Sequence, residues 1–161
     1  MSSLEQRFFD QVAARRVVRP SVRAIVLSND GERLLVQRPS DSPGSNYAFI
    51  GGEYEIGDTF DSRIRAEVEE ETNARVTGWD YLFVVENRFM AGEHKIHGLE
   101  HYLRVSIDRE DVVSEELHLV QEWLPIQDLA TKELRPTVVR DLVASGDLTN
   151  AGHLIVDAWT E

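Results

Sequence analysis

The sequence predicts one mixed-sheet domain of the α/β (α+β) class, on three observations. The chain has 161 residues of which 42% are apolar, enough for one domain with a proper core. Short runs rich in β-branched residues and bounded by turn residues recur along it. A helical pattern follows a strand and loop, with Phe60, Ile64 and Val68 at i, i+4, i+8. No internal repeat, low-complexity tract or long linker divides the chain.

Residues 3 to 15 form a short amphipathic helix, with Leu4, Phe8 and Val12 on one face and Phe9 and Ala13 adjoining it. Ser21 to Ser28 is a strand, Asn29-Asp30-Gly31 a hairpin turn and Arg33 to Gln37 the returning strand. A polar loop over 38 to 46 leads to Tyr47-Ala48-Phe49-Ile50. The helix over 59 to 72 follows, N-capped by Asp58 or Thr59. Two long strands, 75 to 89 and 95 to 106, flank a turn at Met90 to Glu93. A strand over Val120 to Leu124 and a helix over Pro136 to Ser145 complete the core. In the tail, Leu154-Ile155-Val156 adds an edge strand or docks on a partner.

Composition excludes several function classes. With no cysteine, disulfides and zinc-thiolate sites are ruled out. There is no 18-residue apolar run to cross a membrane and no signal-peptide core near the N-terminus, so a cytoplasmic chain is expected. A net charge of −12 argues against a nucleic-acid partner, whose backbone needs a basic patch. Neither a phosphate-binding G-x-x-x-x-G-K-[ST] loop nor G-x-G-x-x-G occurs.

Glu67, Glu70 and Glu71 carry the chemistry. Their i, i+3, i+4 spacing puts three carboxylates on one helical face, beside the apolar stripe and so at the edge of the buried surface. Like charges at that spacing destabilise a helix by a few tenths of a kcal/mol per pair. A hard divalent cation would compensate, since Mg²⁺ takes oxygen ligands from carboxylates and substrate phosphates. The competing reading is a solvated acidic face. His97 and His101 alternate onto one face of a strand, too far apart for one metal. With Glu100 they are sheet residues that could line a substrate cleft; His94, His118 and His153 are surface or turn residues. Tyr47 and Phe49 either stack on a base or pack in the core.

Gly52 to Ala74 resembles the Nudix box, G-x5-E-x7-R-E-U-x-E-E-x-G-U with U aliphatic. Gly52 takes the leading glycine, and Glu67, Val68, Glu70 and Glu71 match its E-U-x-E-E core. The resemblance extends to Glu86-Asn87-Arg88-Phe89 and Glu122-Trp123-Leu124-Pro125, covering roughly residues 20 to 145. It implies a Nudix-like α/β/α sandwich around a central mixed sheet. The chain then divides into an N-terminal helical extension (1–18), a Nudix domain (19–147) and a C-terminal tail (148–161).

Three positions depart from the box. Asp58 replaces Glu and keeps the carboxylate; Asn73 replaces Gly and suits a left-handed helix end. Ala66 replaces the arginine that, in the family, orients the metal-binding glutamates. Arg63 lies at i−4 from Glu67 and offers an exchange, the guanidinium moving back by three residues while its old site shrank. The competing reading of Arg63 is a surface i, i+4 pair worth about 0.3–0.5 kcal/mol. Arg65 projects about 160° from Glu67 on an ideal helix and is expected in solvent.

The resemblance implies metal-assisted hydrolysis of a phosphoanhydride in a nucleoside diphosphate linked to another group. Glu67, Glu70 and Glu71, with the Gly52 carbonyl, would hold Mg²⁺ or Mn²⁺, with Arg63 orienting them. The general base would be one of these glutamates or, from a later loop, Glu115 or Glu116. The alternative is a catalytically impaired nucleotide-binding or regulatory module. The partner expected is a small nucleotide, with a homodimer through the N-terminal helix or the tail.

Overall fold

The computed structural model describes residues 3–159. Seven strands form one mixed sheet around β1 (Arg19–Leu27). Val22, Ala24, Ile25 and Val26 leave almost no surface exposed, as a strand covered on both faces requires. Along one edge β1 pairs in parallel with β5 (His94–Ile107). Along the other it meets β3 (Ile50–Glu53) through Ser21–Ala24 and β2 (Arg33–Pro39) through Val26 and Leu27, both antiparallel. The order is β6-β2-β1-β5-β4-β7, with β4 at Val76–Ala91, β6 at Leu119–Pro125 and β7 at Gly152–Asp157. Gly92, at φ +62°, takes the position of the β4–β5 turn that needs positive φ.

Alternation along β1 separates two cores. Val22, Ala24 and Val26 pack with Ile64 and Val68 of α2 (Phe60–Glu71). Ile25 packs with Tyr102, Phe49 and, from α3 (Thr137–Ser145), Val139 and Val143. This is the expected α/β/α layering. Tyr47 and Phe49 belong to the second core at 4% and 1% exposure, so their rings are not free to stack on a base.

Several local expectations change. After the polar loop a strand begins at Ile50, while Tyr47 and Ala48 make isolated bridges to Leu134 and Gln37. Thr59 caps α2 in a box with Ser62, leaving Asp58 to accept from Glu55 N, Ser62 Oγ and Arg63 Nε. The helix ends on an extended Thr72, whose hydroxyl donates to Val68 O, so no left-handed residue is needed. Asn73 instead clasps the 111–113 backbone through Asp111 O and Val113 N. A 3₁₀ turn over Ile126–Thr131 was not legible in the sequence. The tail does add an edge strand: β7 runs parallel to β4 over Phe83–Arg88.

The N-terminal helix α1 (Leu4–Arg15) presses Val12 and Phe9 inward, Phe9 meeting the edge of Phe89 at 5.8 Å between ring centres. Leu4 and Phe8 of the expected apolar face point outward. Arg15 grips both oxygens of Glu53 at 2.8 and 2.7 Å, and Arg19 Nε adds a third bond at 3.0 Å.

Two predictions follow from this packing. Ile64→Ala should cost about 2–5 kcal/mol in urea unfolding, the range for emptying a closed aliphatic site. The Arg15 and Arg19 bonds hold the Glu53 carboxyl below its ordinary range, so its stabilisation exists above the unfolded-state pKa and is lost as pH falls through the lower folded-state value. Glu53→Gln should therefore cost up to about 1 kcal/mol at neutral pH. The gap to the natural protein should close below about pH 4, checked by urea unfolding at both pH values.

Candidate active site at the acidic helix

The glycine pair brings strand and helix together. A Cβ on Gly51 would fall 2.0 Å from Val22 O, and one on Gly52 would fall 2.2 and 2.7 Å from the two Glu67 carboxylate oxygens. The Glu67 carboxylate thus rests on the bare backbone of residue 52, and any side chain there would displace it. Glu67 is 9% exposed, and burial pushes its carboxyl up while the Arg63 bond pulls it back.

Arg63 is no surface residue. At 8% exposure its guanidinium donates to Asp58 Oδ2 at 2.7 Å and Glu67 Oε1 at 3.1 Å, with Glu55 Oε2 at 3.4 Å. Arg65 stays away from Glu67 but is only partly solvated, bonding Asp61 at 2.9 Å and Val76 O at 2.8 Å.

Glu71 lies one turn beyond Glu67. Burial, reinforced by the Glu67 charge, raises its carboxyl pKa to about 8, and its Oε2 is buried without a hydrogen-bond partner. Glu70 is exposed, and its charge adds to the rise at Glu67. Among the described residues no three Asp, Glu, His or Cys side chains converge into a metal cluster, so the acidic trio does not by itself enclose an ion. The donor set still fits a hard cation, because a desolvated pair at 67 and 71 with an orphaned oxygen matches an ion bound by few carboxylates plus substrate phosphates.

The loop before β6 seats against the end of α2. Glu115 N donates to Glu71 O at 3.0 Å, the Glu115 side chain is exposed, and the Glu116 charge raises the Glu71 pKa further. Gln37 and Gln121, paired across β2 and β6, flank the same place. Gln121 Nε2 reaches Glu71 O at 3.4 Å and its Oε1 has no partner. Neither glutamine was singled out in the sequence; the available signal was a polar residue interrupting each of two apolar strands.

A cleft of about 580 Å³ opens next to the box, walled in part by Arg23, Asn87, Phe89, Glu100, Tyr102 and Arg135. Glu67, Glu70 and Glu71 are not among its walls. Glu100 is buried there, accepting from Asn87 Nδ2 at 2.9 Å and Tyr102 OH at 2.7 Å. The two histidines grouped with it do not join it. His101 meets Tyr81 OH at 3.0 Å and Phe60 at 5.0 Å, and burial lowers its pKa. His97 packs edge-on against Trp159. His94, His118 and His153 pair at the surface with Asp10, Glu116 and Glu86.

The two outlying motifs are structural ties. Asn87 holds Glu100, Glu86 pairs with His153, and Arg88 reaches Asp157 at 3.3 Å. Glu122 accepts from Arg38 Nε and from Tyr47 OH at 2.9 Å, fixing the strand before the glycines.

A layered mixed sheet with an acidic helix laid on a glycine pair defines the Nudix domain class. The NUDIX domain family matches residues 17–143, and the chain belongs to that family. A MutT protein from Bacillus halodurans superposes with TM-score 0.69 at 15% identity, covering 89% of this chain and 94% of that one. A NUDIX hydrolase from Nitrosomonas europaea gives 0.64 at 16%, covering 88% and 80%. The NUDIX domain of Shewanella oneidensis NrtR, solved with ADP ribose, gives 0.64 at 14%, covering 91% and 98%. At these identities the likeness is one of fold. No curated protein matches the chain significantly in sequence.

Removing Arg63 leaves two largely desolvated carboxylates facing each other, whereas Arg65 has 41% of its side chain in solvent. Arg63→Ala should therefore lower Tm in metal-free buffer clearly more than Arg65→Ala, as measured by calorimetry. Equal losses would reduce Arg63 to an ordinary surface pair.

Proposed function

We propose that this chain is a divalent-metal-dependent Nudix hydrolase that cleaves a phosphoanhydride in a nucleoside diphosphate linked to another group. The observation that carries this reading is the buried, unpartnered Glu71 Oε2 beside Glu67, on the helix seated on Gly52. Mg²⁺ or Mn²⁺, when bound, supplies neutralisation of phosphate oxygens and a water made more acidic. Glu67 and Glu71 are the groups to hold it, with exposed Glu70 as a further ligand once substrate is present and the Gly52 carbonyl at hand. Arg63 does for Glu67 what the box arginine does in the family, since its fork fixes that carboxylate from Asp58. The proton of the attacking water goes to a nearby carboxylate, and Glu116, on the loop whose backbone bonds Glu71 O and close enough for its charge to act on Glu71, is the candidate that is not itself a ligand. Hydrolysis then breaks one P–O–P bond, the water oxygen joining one phosphorus and the bridging oxygen leaving with the other. A cytoplasmic setting and a homodimer belong to the same reading; no described helix is long and apolar enough to cross a membrane.

A second reading, a nucleotide-binding or regulatory module, is favoured by two observations: Ala66 replaces the box arginine, and the three glutamates do not close on one point. The ADP-ribose complex of the NrtR domain makes ADP-ribose a sensible first ligand for either reading.

A Mg²⁺- or Mn²⁺-dependent hydrolysis screen, read as phosphate released after the products are treated with phosphatase or pyrophosphatase, should decide between them. Its substrates would be nucleoside triphosphates, nucleotide sugars, ADP-ribose and dinucleoside polyphosphates. Turnover should fall by about 10²-fold or more in Glu71→Gln. Binding without turnover of any of them would reject the hydrolase in favour of the module.

A further inference from the structure

Arg23 is a cation on the central strand that the ion pairs of the box leave out. It lies in the middle of β1 between Val22 and Ala24, both fully buried. Its neighbours across the sheet are Gly51 on β3 and Tyr102 on β5. Among the described residues its guanidinium makes no hydrogen bond and no ion pair, although its charge acts on the Glu67 and Glu71 carboxyls. Its charge is felt at Glu67 and Glu71 on one side and at Tyr102, the hydroxyl partner of Glu100, on the other. Arg23 also lines the 580 Å³ cleft that the box glutamates do not reach. It therefore stands where box and cleft meet, half-buried and facing open space.

A guanidinium in such a place has two possible uses. Arg63 already shows what an arginine looks like when it serves to neutralise these acids, with direct bonds near 3 Å to Asp58 and Glu67. Arg23 makes none, so neutralisation does not account for it. The second use is an external anion. Planar N–H donors match phosphate oxygens two at a time, and partial burial strengthens such a bond relative to water. The cleft volume lies in the range that encloses a small organic ligand, enough for a nucleoside or sugar beyond the phosphates.

We propose that Arg23 binds the substrate diphosphate where the box opens into the cleft, so that the phosphates bridge the two and the remaining moiety lies between Arg23 and the Asn87–Glu100–Tyr102 network. This rests on the hydrolase reading and deepens it, by assigning the substrate's path and a phosphate-binding residue outside the box. It also carries a sign. A cation at Glu67 and Glu71 repels Arg23 until a phosphate lies between them, so removing Arg23 must not weaken metal binding alone.

The test is calorimetric titration of the full chain with inorganic pyrophosphate in EDTA, which needs neither metal, turnover nor knowledge of the base. Arg23→Ala should weaken pyrophosphate binding by about ten-fold or more, and Arg23→Lys, which loses the paired donors, by a smaller factor. Arg23→Gln, of similar length, takes the place of alanine if that variant does not fold. Mn²⁺ affinity without ligand, read by electron paramagnetic resonance, should hold or tighten in Arg23→Ala. Unchanged pyrophosphate affinity, no pyrophosphate binding by the natural protein, or a parallel loss of Mn²⁺ binding overturns the assignment. Absence of hydrolysis in the screen would sink the enzyme while leaving this binding result standing, so the two failures are separable.

Discussion

The contact on which the site depends is the Glu67 carboxylate lying flat against Gly52. It depends on residue 52 having no side chain, because even one methyl group there would overlap both carboxylate oxygens and push the carboxylate away. A carboxylate in so dry a place is expensive unless paired. Arg63 supplies the pair from one turn earlier on the same helix and is itself held by Asp58 at the helix entry. Glycine, glutamate, arginine and aspartate form a single unit, and Thr59 with Ser62 fixes the turn from which it starts.

That unit explains how a degenerate box can keep its geometry. Residue 66 is alanine, and the guanidinium at residue 63 bonds the Glu67 carboxylate from one turn earlier on the helix. Charge balance around the box is then local. Glu70 raises the affinity of Glu67 for a proton, and Glu67 and Glu116 raise that of Glu71, while Arg63 opposes the rise at Glu67 by contact and Arg23 opposes both through space. Glu71, which Arg63 does not bond and whose Oε2 is buried without a partner, retains an unmet demand for positive charge.

The cleft is made by elements remote in sequence. Asn87 and Glu100 come from the two arms of the β4–β5 hairpin, Arg135 and Thr137 from the start of α3, and Gln6 and Phe9 from α1. The Arg15 and Arg19 bonds to Glu53 tie α1 to the strand that carries Gly52, so the helix that walls the cleft is anchored next to the box. The N-terminal extension is thereby part of the site's surroundings and no loose appendage.

Alone, the sequence determined most of the strands, the three α-helices and the acidic helix with its glycine, because each rests on local periodicity, turn chemistry or spacing along one helix. Arg63 was legible for the same reason, as i, i+4 is fixed by helical geometry. Pairings between distant strands were decided only by the tertiary structure. Register on β1 placed Arg23 opposite Tyr102, the β2–β6 ladder brought Gln37 to Gln121, and alternation sent Glu100 into the cleft and His101 to the opposite face. Burial likewise withdrew Tyr47 and Phe49 into the core, an outcome that depends on what packs over a strand and not on the strand itself.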